Sequence, residues 1–185
     1  MMTPSIYNRI VAAAIVIWVA VAPVSAQVDQ LDGLFDSLRD PGTTDWQRIE
    51  DEIEARLAFS GSASADLLLR RGMAALDEQD YAAAIEHLTA LVDHAPEFSE
   101  GWNRRASAFF RAGLYGPAIE DLTRVLVLEP RDYRALSGLG VLFEETDQPL
   151  RALGAFRAAA EVNPQNPDIQ GAIARLERAT QGTAL

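Results

Sequence analysis

A pattern that recurs every 34 residues constrains the fold of this chain more than any other feature of its sequence. The segments that begin at Ala65, Ser99 and Tyr133 align with one another without a gap. Four positions hold the same kind of residue in all three segments. They are small residues at Gly72, Ala106 and Gly140, alanines at Ala84, Ala118 and Ala152, large apolar residues at Leu88, Leu122 and Phe156, and prolines at Pro96, Pro130 and Pro164. A period of this length indicates a stack of similar supersecondary units.

Each 34-residue unit is predicted to contain two amphipathic helices. Apolar residues recur three or four positions apart on both sides of a short polar or glycine-containing break. In the second unit, Trp102 and Phe109 precede the break, and Ala118 and Leu122 follow it. The small residues allow the two helices to approach closely, while the large ones fill the groove between them. The sequence therefore predicts an all-α protein.

These residues resemble the tetratricopeptide repeat, a 34-residue unit with Trp, Leu-Gly, Tyr, Ala, Phe and Pro in this order. The similarity extends from Ala65 to Asn166. It implies an α-solenoid, a right-handed superhelix of antiparallel helix pairs. The implied repeats occupy residues 65–98, 99–132 and 133–166.

The segments that flank the repeats are also predicted to be helical. Residues 27–64 form a hairpin of two helices, and residues 167–185 form a capping helix and a tail. The apolar face of the first hairpin helix consists of Leu31, Leu34, Phe35 and Leu38. The second helix follows Thr44, and the residues from Thr44 to Gln47 match a capping box. A terminal helix with one solvated face covers the exposed end of a stacked array.

Residues 1–26 are typical of a secretory signal peptide. Arg9 precedes the uncharged run Ile10 to Ala22, and small residues follow, ending at Ala26. The run is shorter than the ~20 residues that cross a bilayer. We expect cleavage after Ala26 and no membrane insertion afterwards. The alternative is an uncleaved N-terminus that anchors the chain.

The charge balance excludes one class of partner. The chain carries 16 basic residues, all arginine, against 27 acidic ones, and its formal net charge is -11. Nucleic-acid affinity comes largely from basic side chains that neutralise phosphates. We therefore expect no nucleic-acid partner.

Catalytic and metal-binding patterns are missing from the sequence. The two histidines, His87 and His94, are seven residues apart, which differs from the i, i+4 spacing of helical zinc sites. The chain has no cysteine and no nucleophile elbow, phosphate loop or calcium loop. We expect no catalytic residue, no metal, no cofactor and no enzymatic activity.

The resemblance implies a concave groove lined by the first helix of each repeat. The partner-binding residues implied in this way are Leu69, Met73, Leu76, Asn103, Ser107, Phe110, Arg111, Arg134 and Val141. This mixed and partly apolar surface suits an extended or helical peptide with a few anchoring side chains. Two states of the groove are possible: it is open to a partner, or the N-terminal hairpin packs into it.

Two arginine pairs occupy equivalent places in the first two repeats, Arg70-Arg71 and Arg104-Arg105. The second arginine of each pair replaces an inward-facing leucine of the repeat. A partly buried guanidinium group needs an acceptor. We expect ion pairs with acidic residues of the following helix, Glu86 in the first repeat and Glu120 or Asp121 in the second.

A functional role for the arginines is the alternative. Arg70, Arg104 and Arg134 are placed to receive a carboxylate of a partner in the groove. Some tetratricopeptide-repeat proteins grip peptide carboxylates with Lys, Arg and Asn at set positions. Leu69 and Met73 occupy two of those positions here, so the complete set is not matched.

The sequence thus predicts a non-catalytic scaffold or adaptor that binds a protein or peptide in the bacterial cell envelope. The resemblance to small exported repeat proteins of bacteria points to the periplasm. The second hypothesis is a membrane-anchored accessory subunit or assembly chaperone of an envelope or secretion complex. No oligomeric state follows from the residues.

Overall fold

The computed structural model describes the backbone of residues 24–182 and the side chains of residues 30–180. Within this range the chain forms nine helices and no strands, which confirms the all-α prediction. The helices are α1 (Val24–Arg39), α2 (Trp46–Leu57), α3 (Ala63–Asp77), α4 (Tyr81–His94), α5 (Ser99–Arg111), α6 (Tyr115–Leu128), α7 (Tyr133–Glu145), α8 (Pro149–Val162) and α9 (Pro167–Gly182). The expected signal peptide lies outside the described residues, except for Val24 to Ala26 at the start of α1.

The two helices of each repeat are joined by the same tight turn. One residue in each turn has a positive φ: Gln79 at 62°, Gly113 at 75° and Asp147 at 56°. These residues are spaced 34 apart, and the next amide in each turn donates a hydrogen bond to a carbonyl five residues back. The short reversals make the helices of each pair antiparallel, so the chain forms an α-solenoid.

The close approach of paired helices depends on the small-residue position. A Cβ atom on Gly72 would lie 2.5 Å from Cγ of Leu88, and one on Gly140 would lie 2.6 Å from Cε2 of Phe156. Ala106 holds the same place in the second repeat and is buried. The large apolar residue of the second helix therefore fills the space that the small residue leaves.

The apolar core runs the length of the array. Each repeat contributes a cluster of buried side chains, and α9 extends the last cluster with Ala172 and Leu176. The last helix thus covers the end of the array, with Phe143 and Phe156 beneath it.

The N-terminal hairpin packs against one edge of the array, beside the third repeat and the start of α9. Its buried face consists of Phe35, Leu38, Ile49, Ile53 and Leu57. These side chains share one cluster with Tyr133, Ala159, Val162 and Ile169, at the start of α7, the end of α8 and the start of α9. The hairpin therefore docks on the edge of the array formed by the turns between repeats.

Polar contacts accompany this docking. Glu50 of α2 accepts hydrogen bonds from Nδ2 of Asn163 and, at 2.9 Å, from Nδ2 of Asn166. Burial, and then the charge of Glu50, raise the pKa of Tyr133 above its usual range, so the phenol stays protonated and donates to Glu50. Arg131 pairs with Asp32 of α1. The hairpin is thus fixed by directional bonds as well as by apolar contact.

The predicted capping box at the start of α2 is wrong. Asp45, not Thr44, is the N-cap residue, and its side chain makes no capping hydrogen bond. Because the helix starts at Trp46, Gln47 is the second helical residue and not the third, as a capping box requires. The Thr44 hydroxyl instead donates to Oδ1 of Asp45 at 3.3 Å.

Arg105 and Asp121 form the buried ion pair of the second repeat. Nε and Nη2 of Arg105 lie 2.7 and 2.8 Å from the two carboxylate oxygens, and the side chains are 15% and 5% exposed. The guanidinium carbon also lies 4.9 Å from the ring centroid of Trp102. The expected pairing of Arg105 with an acid of the next helix is confirmed, and Asp121 is the partner.

The corresponding prediction for the first repeat is wrong. Arg71 and Glu86 are both exposed, and among the described residues neither takes part in an ion pair. The position equivalent to Asp121 is His87, which offers no carboxylate. Without an acceptor at that place, Arg71 remains in solvent.

We expect Gly140→Ala to destabilise the fold by about 1–3 kcal/mol, because the added methyl group overlaps the rigid ring of Phe156. The matched control is Gly154→Ala on α8, where a Cβ atom meets nothing within 4 Å. There the loss of glycine should stabilise the helix by about 0.5–1 kcal/mol. Urea unfolding measures the change in the free energy of unfolding for both variants. A change in the same direction for both would show that the methyl group does not overlap Phe156.

We expect Asp121→Ala to lower the free energy of unfolding by about 3 kcal/mol, since it leaves the guanidinium of Arg105 without its carboxylate. Glu120→Ala, which removes the exposed neighbouring carboxylate, should change it by less than about 0.5 kcal/mol. The double variant Arg105→Leu with Asp121→Ala should recover part of the loss, because the third repeat has Leu139 and Ala155 at these places. Chemical denaturation of the three proteins checks this order.

Candidate functional site

A cavity of about 410 Å³ lies between the first helices of the second and third repeats, α5 and α7. Six of the nine predicted groove residues line it: Asn103, Ser107, Phe110, Arg111, Arg134 and Val141. Helical spacing explains this grouping, because residues three, four and seven apart on α5 share one face. The cavity therefore lies on the concave side that the resemblance implies.

The floor of the cavity is apolar. Ala106, Leu122 and Leu142 close it from below, and Phe110 and Val141 stand at its sides. Gly138 allows α7 to approach α6 closely beside the cavity, since a Cβ atom there would come within 2.9 Å of Cδ1 of Leu122. The Phe110 ring is supported by the ring of Tyr115, with centroids 5.8 Å apart. The cavity thus offers an apolar space for a side chain of a partner.

The structure places the three predicted groove residues of the first repeat outside this cavity. Leu69 and Leu76 are buried in the core cluster of α3 and α4, together with Ala108 of α5. Their apolar side chains are covered by the next repeat, so they offer no surface to a partner. Met73 is exposed but does not line the cavity.

A second cavity of about 660 Å³ lies between α7 and α9 and shares Arg134 and Val141 with the first. The α9 residues that line it include Asp168, Gly171, Arg175 and Arg178. These four residues are not among the groove residues predicted from the sequence. They lie 34 residues after Arg134, Ser137, Val141 and Glu144, so extending the repeat period to the last helix would have found them.

A network of five charged residues lies beside the first cavity on the side nearest the hairpin, and three of the five line the cavity. We call it the Glu100 network. It consists of Glu54, Glu100, Arg104, Asp132 and Arg134. Glu100 and Asp132 are each 1% exposed. Because carboxylates this deeply buried must be paired, the two arginines are held by the fold.

Each of the two guanidinium groups donates hydrogen bonds to two carboxylates. Arg104 donates from Nε to Glu100 at 2.5 Å and from Nη2 to Glu54 at 2.9 Å. Arg134 donates from Nη2 to Asp132 at 2.9 Å and to Glu100 at 3.1 Å. Burial by itself would lower the pKa of Arg134, but the charges of Asp132, Glu100 and Glu54 outweigh it and raise the pKa above its usual value.

The hypothesis of free arginines at Arg70, Arg104 and Arg134 needs correction. Arg104 and Arg134 already bind carboxylates of their own chain, one of which, Glu54, belongs to the hairpin. Arg70 lies exposed on α3 and does not line the cavity. No local pattern marks a hairpin residue as a partner of these arginines, since Glu54 and Arg104 are 50 residues apart in the chain.

Two polar side chains of the first cavity remain available to a ligand. Arg111 is exposed at the end of α5, and over the described part of the chain its guanidinium makes no hydrogen bond or ion pair. The side-chain amide of Asn103 is likewise without a partner within residues 30–180. A partner thus meets hydrogen-bond donors beside an apolar floor.

The described residues show no sign of a metal site. Between residues 30 and 180, no group of three or more His, Cys, Asp and Glu side chains is arranged to hold a metal ion. His87 and His94 lie on α4, away from both cavities. No helix in residues 24–182 is both long enough and apolar enough to cross a membrane.

Comparison with known structures agrees with this geometry. The first TPR domain of Spaghetti (RPAP3), bound to an HSP90 peptide, superposes with a TM-score of 0.62 at 22% identity and covers 65% of this chain and 95% of the domain. The Yersinia enterocolitica type III secretion chaperone SycD, in complex with a peptide of the translocator YopD, gives a TM-score of 0.61 at 13% identity, with 64% and 96% covered. Similarity at these identities establishes the fold alone.

Sequence comparison establishes the family. The tetratricopeptide repeat family pattern matches residues 69–122 and 115–167, more than half of the chain. A TPR repeat-containing protein of Rhizobium etli is 32% identical over 149 residues, which are 79% of this chain and 72% of that protein. Repeat period, helix pairs and sequence similarity agree, and the chain therefore belongs to the tetratricopeptide repeat family.

Proposed function

We propose that this chain is a non-catalytic interaction module that binds a segment of a partner protein in the cavity between α5 and α7. One observation carries the proposal: an apolar floor lies beside two donors, Arg111 and Asn103, that the fold leaves without partners. An apolar pocket with a few polar groups that fix orientation is the usual form of a ligand site.

The size of the cavity suits one or two side chains of an extended segment. A volume of about 410 Å³ holds an aromatic or branched aliphatic side chain with room for the adjoining backbone. The anchor would contact Phe110 and Val141, while Arg111 and Asn103 bond to carbonyl or carboxylate oxygens next to it. The second cavity, across Val141, continues the path toward α9.

Related folds support a peptide as the occupant. The RPAP3 domain binds an HSP90 peptide, and SycD binds a peptide of YopD. Both proteins superpose over about two thirds of this chain.

We further propose that the module acts in the periplasm after removal of residues 1–26. The support is the order of a basic residue, an uncharged run and small residues in the N-terminal sequence. The hairpin that follows folds onto the repeats and does not need a membrane to cover its apolar face.

Selection from a random 12-residue peptide library on the immobilised chain tests the binding site. The selected peptides should lose about tenfold or more in affinity for the variant Asn103→Ala, Phe110→Ala, Arg111→Ala, because a central anchor is often worth more than about 1.4 kcal/mol. None of these three side chains belongs to the Glu100 network or the fully buried core. Fluorescence anisotropy measures the affinities.

The matched control replaces Glu120 and Val127 by alanine on α6, where both side chains are exposed outside the two cavities. This control should bind the selected peptides as the unaltered chain does. Failure to select any peptide, or equal binding by the cavity variant, would rule out this site.

Mass spectrometry of the chain from its own organism tests the location. The mature N-terminus should be Gln27, because signal peptidase cuts after small residues such as Ala26. Recovery of a chain that begins at Met1 would contradict export with cleavage.

A further inference from the structure

Glu54 brings the N-terminal hairpin into the candidate binding site. It lies on α2 and lines the cavity between α5 and α7. Its Oε1 atom is 2.9 Å from Nη2 of Arg104 and 4.0 Å from Nη1 of Arg134. A carboxylate of the hairpin is therefore already paired with the arginines beside the cavity.

The presence of Glu54 changes the net charge of the Glu100 network beside the cavity. Two guanidinium groups, of Arg104 and Arg134, face three carboxylates, of Glu54, Glu100 and Asp132, so the network carries a net charge of -1. If Glu54 leaves, the remaining charges cancel and guanidinium N–H groups are freed toward the cavity. An acidic ligand is repelled by the first arrangement and accepted by the second.

Glu54 is the carboxylate of the network that can leave without disturbing the fold. Its side chain is 52% exposed, whereas those of Glu100 and Asp132 are 1% exposed. Asp132 also caps α7 by accepting hydrogen bonds from the amides of Arg134 and Ala135. Removing Asp132 would therefore leave the first amides of α7 without their acceptor. Moving Glu54 exposes little additional surface.

The hairpin can stay docked while Glu54 moves. The neighbouring Ile53 and Leu57 point into the cluster that holds the hairpin to α7, α8 and α9. Glu54 lies beside this apolar face of α2 and reaches Arg104 of α5. Rotation of one exposed side chain then suffices, and a partly exposed ion pair of this kind contributes little to stability.

We propose that Glu54 is an internal competitor for the partner: a carboxylate of an acidic partner segment displaces it from Arg104 and Arg134. The inference rests on the proposed binding site. It specifies that the partner segment is acidic and that the hairpin weakens its binding. The partner segment carries an acidic side chain next to its apolar anchor. Arg111, on the same cavity, adds attraction for that acid. The hairpin thereby sets how strongly the cavity prefers acidic over neutral segments.

The experiment compares Glu54→Gln with Asp51→Asn in the full chain. Both substitutions remove one negative charge from α2, and Asp51 is exposed and lines neither cavity. Peptide selection from the same 12-residue library should give more Asp and Glu with Glu54→Gln than with the unaltered chain. An acidic peptide selected by the unaltered chain should bind Glu54→Gln about twofold to fivefold more tightly. Asp51→Asn should match the unaltered chain in both measurements.

Hydrogen exchange separates side-chain displacement from opening of the hairpin. Protection of the α2 amides should be the same in Glu54→Gln and in the unaltered chain. Loss of this protection, or equal behaviour of Glu54→Gln and Asp51→Asn, overturns the proposal. Selection of peptides without acidic enrichment by either protein also overturns it, yet leaves the binding site standing. If no peptide is selected at all, the binding site itself fails.

Discussion

The contact between a small residue on the first helix of a repeat and a large apolar residue on the second controls the rest of this structure. Gly72 with Leu88, and Gly140 with Phe156, bring two helices so close that a single methyl group would overlap the partner side chain. Repetition of this contact every 34 residues gives similar helix pairs, and apolar contacts between neighbouring repeats place their first helices side by side. A concave face, and the cavity between α5 and α7, follow from that stacking.

The hairpin adds a long-range constraint to this local one. Repeat proteins are held mainly by contacts between neighbours, yet here α1 and α2 contact residues about 100 positions further along the chain. The docking edge carries Tyr133, Arg131 and Asn163, and the hairpin supplies carboxylates to them. In this acidic chain, Arg104 and Arg134 at the cavity are paired with internal carboxylates, which neutralise most of its cationic character.

The sequence was sufficient for the features that depend on local spacing. The helix pairs follow from apolar periodicity. An arginine at an inward position predicted an ion pair of Arg105 with Glu120 or Asp121, and Asp121 is the acceptor. Features that depend on distant pairing were not predictable, because Glu54 has no local signal that marks Arg104 as its partner. The burial of Leu69 and Leu76 was missed for a related reason: their exposure depends on how the next repeat covers them. The cavity residues on α9 could have been predicted by extending the 34-residue period to the last helix.

Whether a partner segment binds in the cavity between α5 and α7 while the hairpin stays docked at the edge can be measured by nuclear magnetic resonance. The isotope-labelled chain is titrated with a peptide selected on it, and the amide chemical shifts are recorded. We expect the largest changes at residues 103–111 of α5 and 134–142 of α7, with the buried face of the hairpin unchanged. Changes centred on α4 and α6, the second helices of the first two repeats, would show that the segment binds elsewhere.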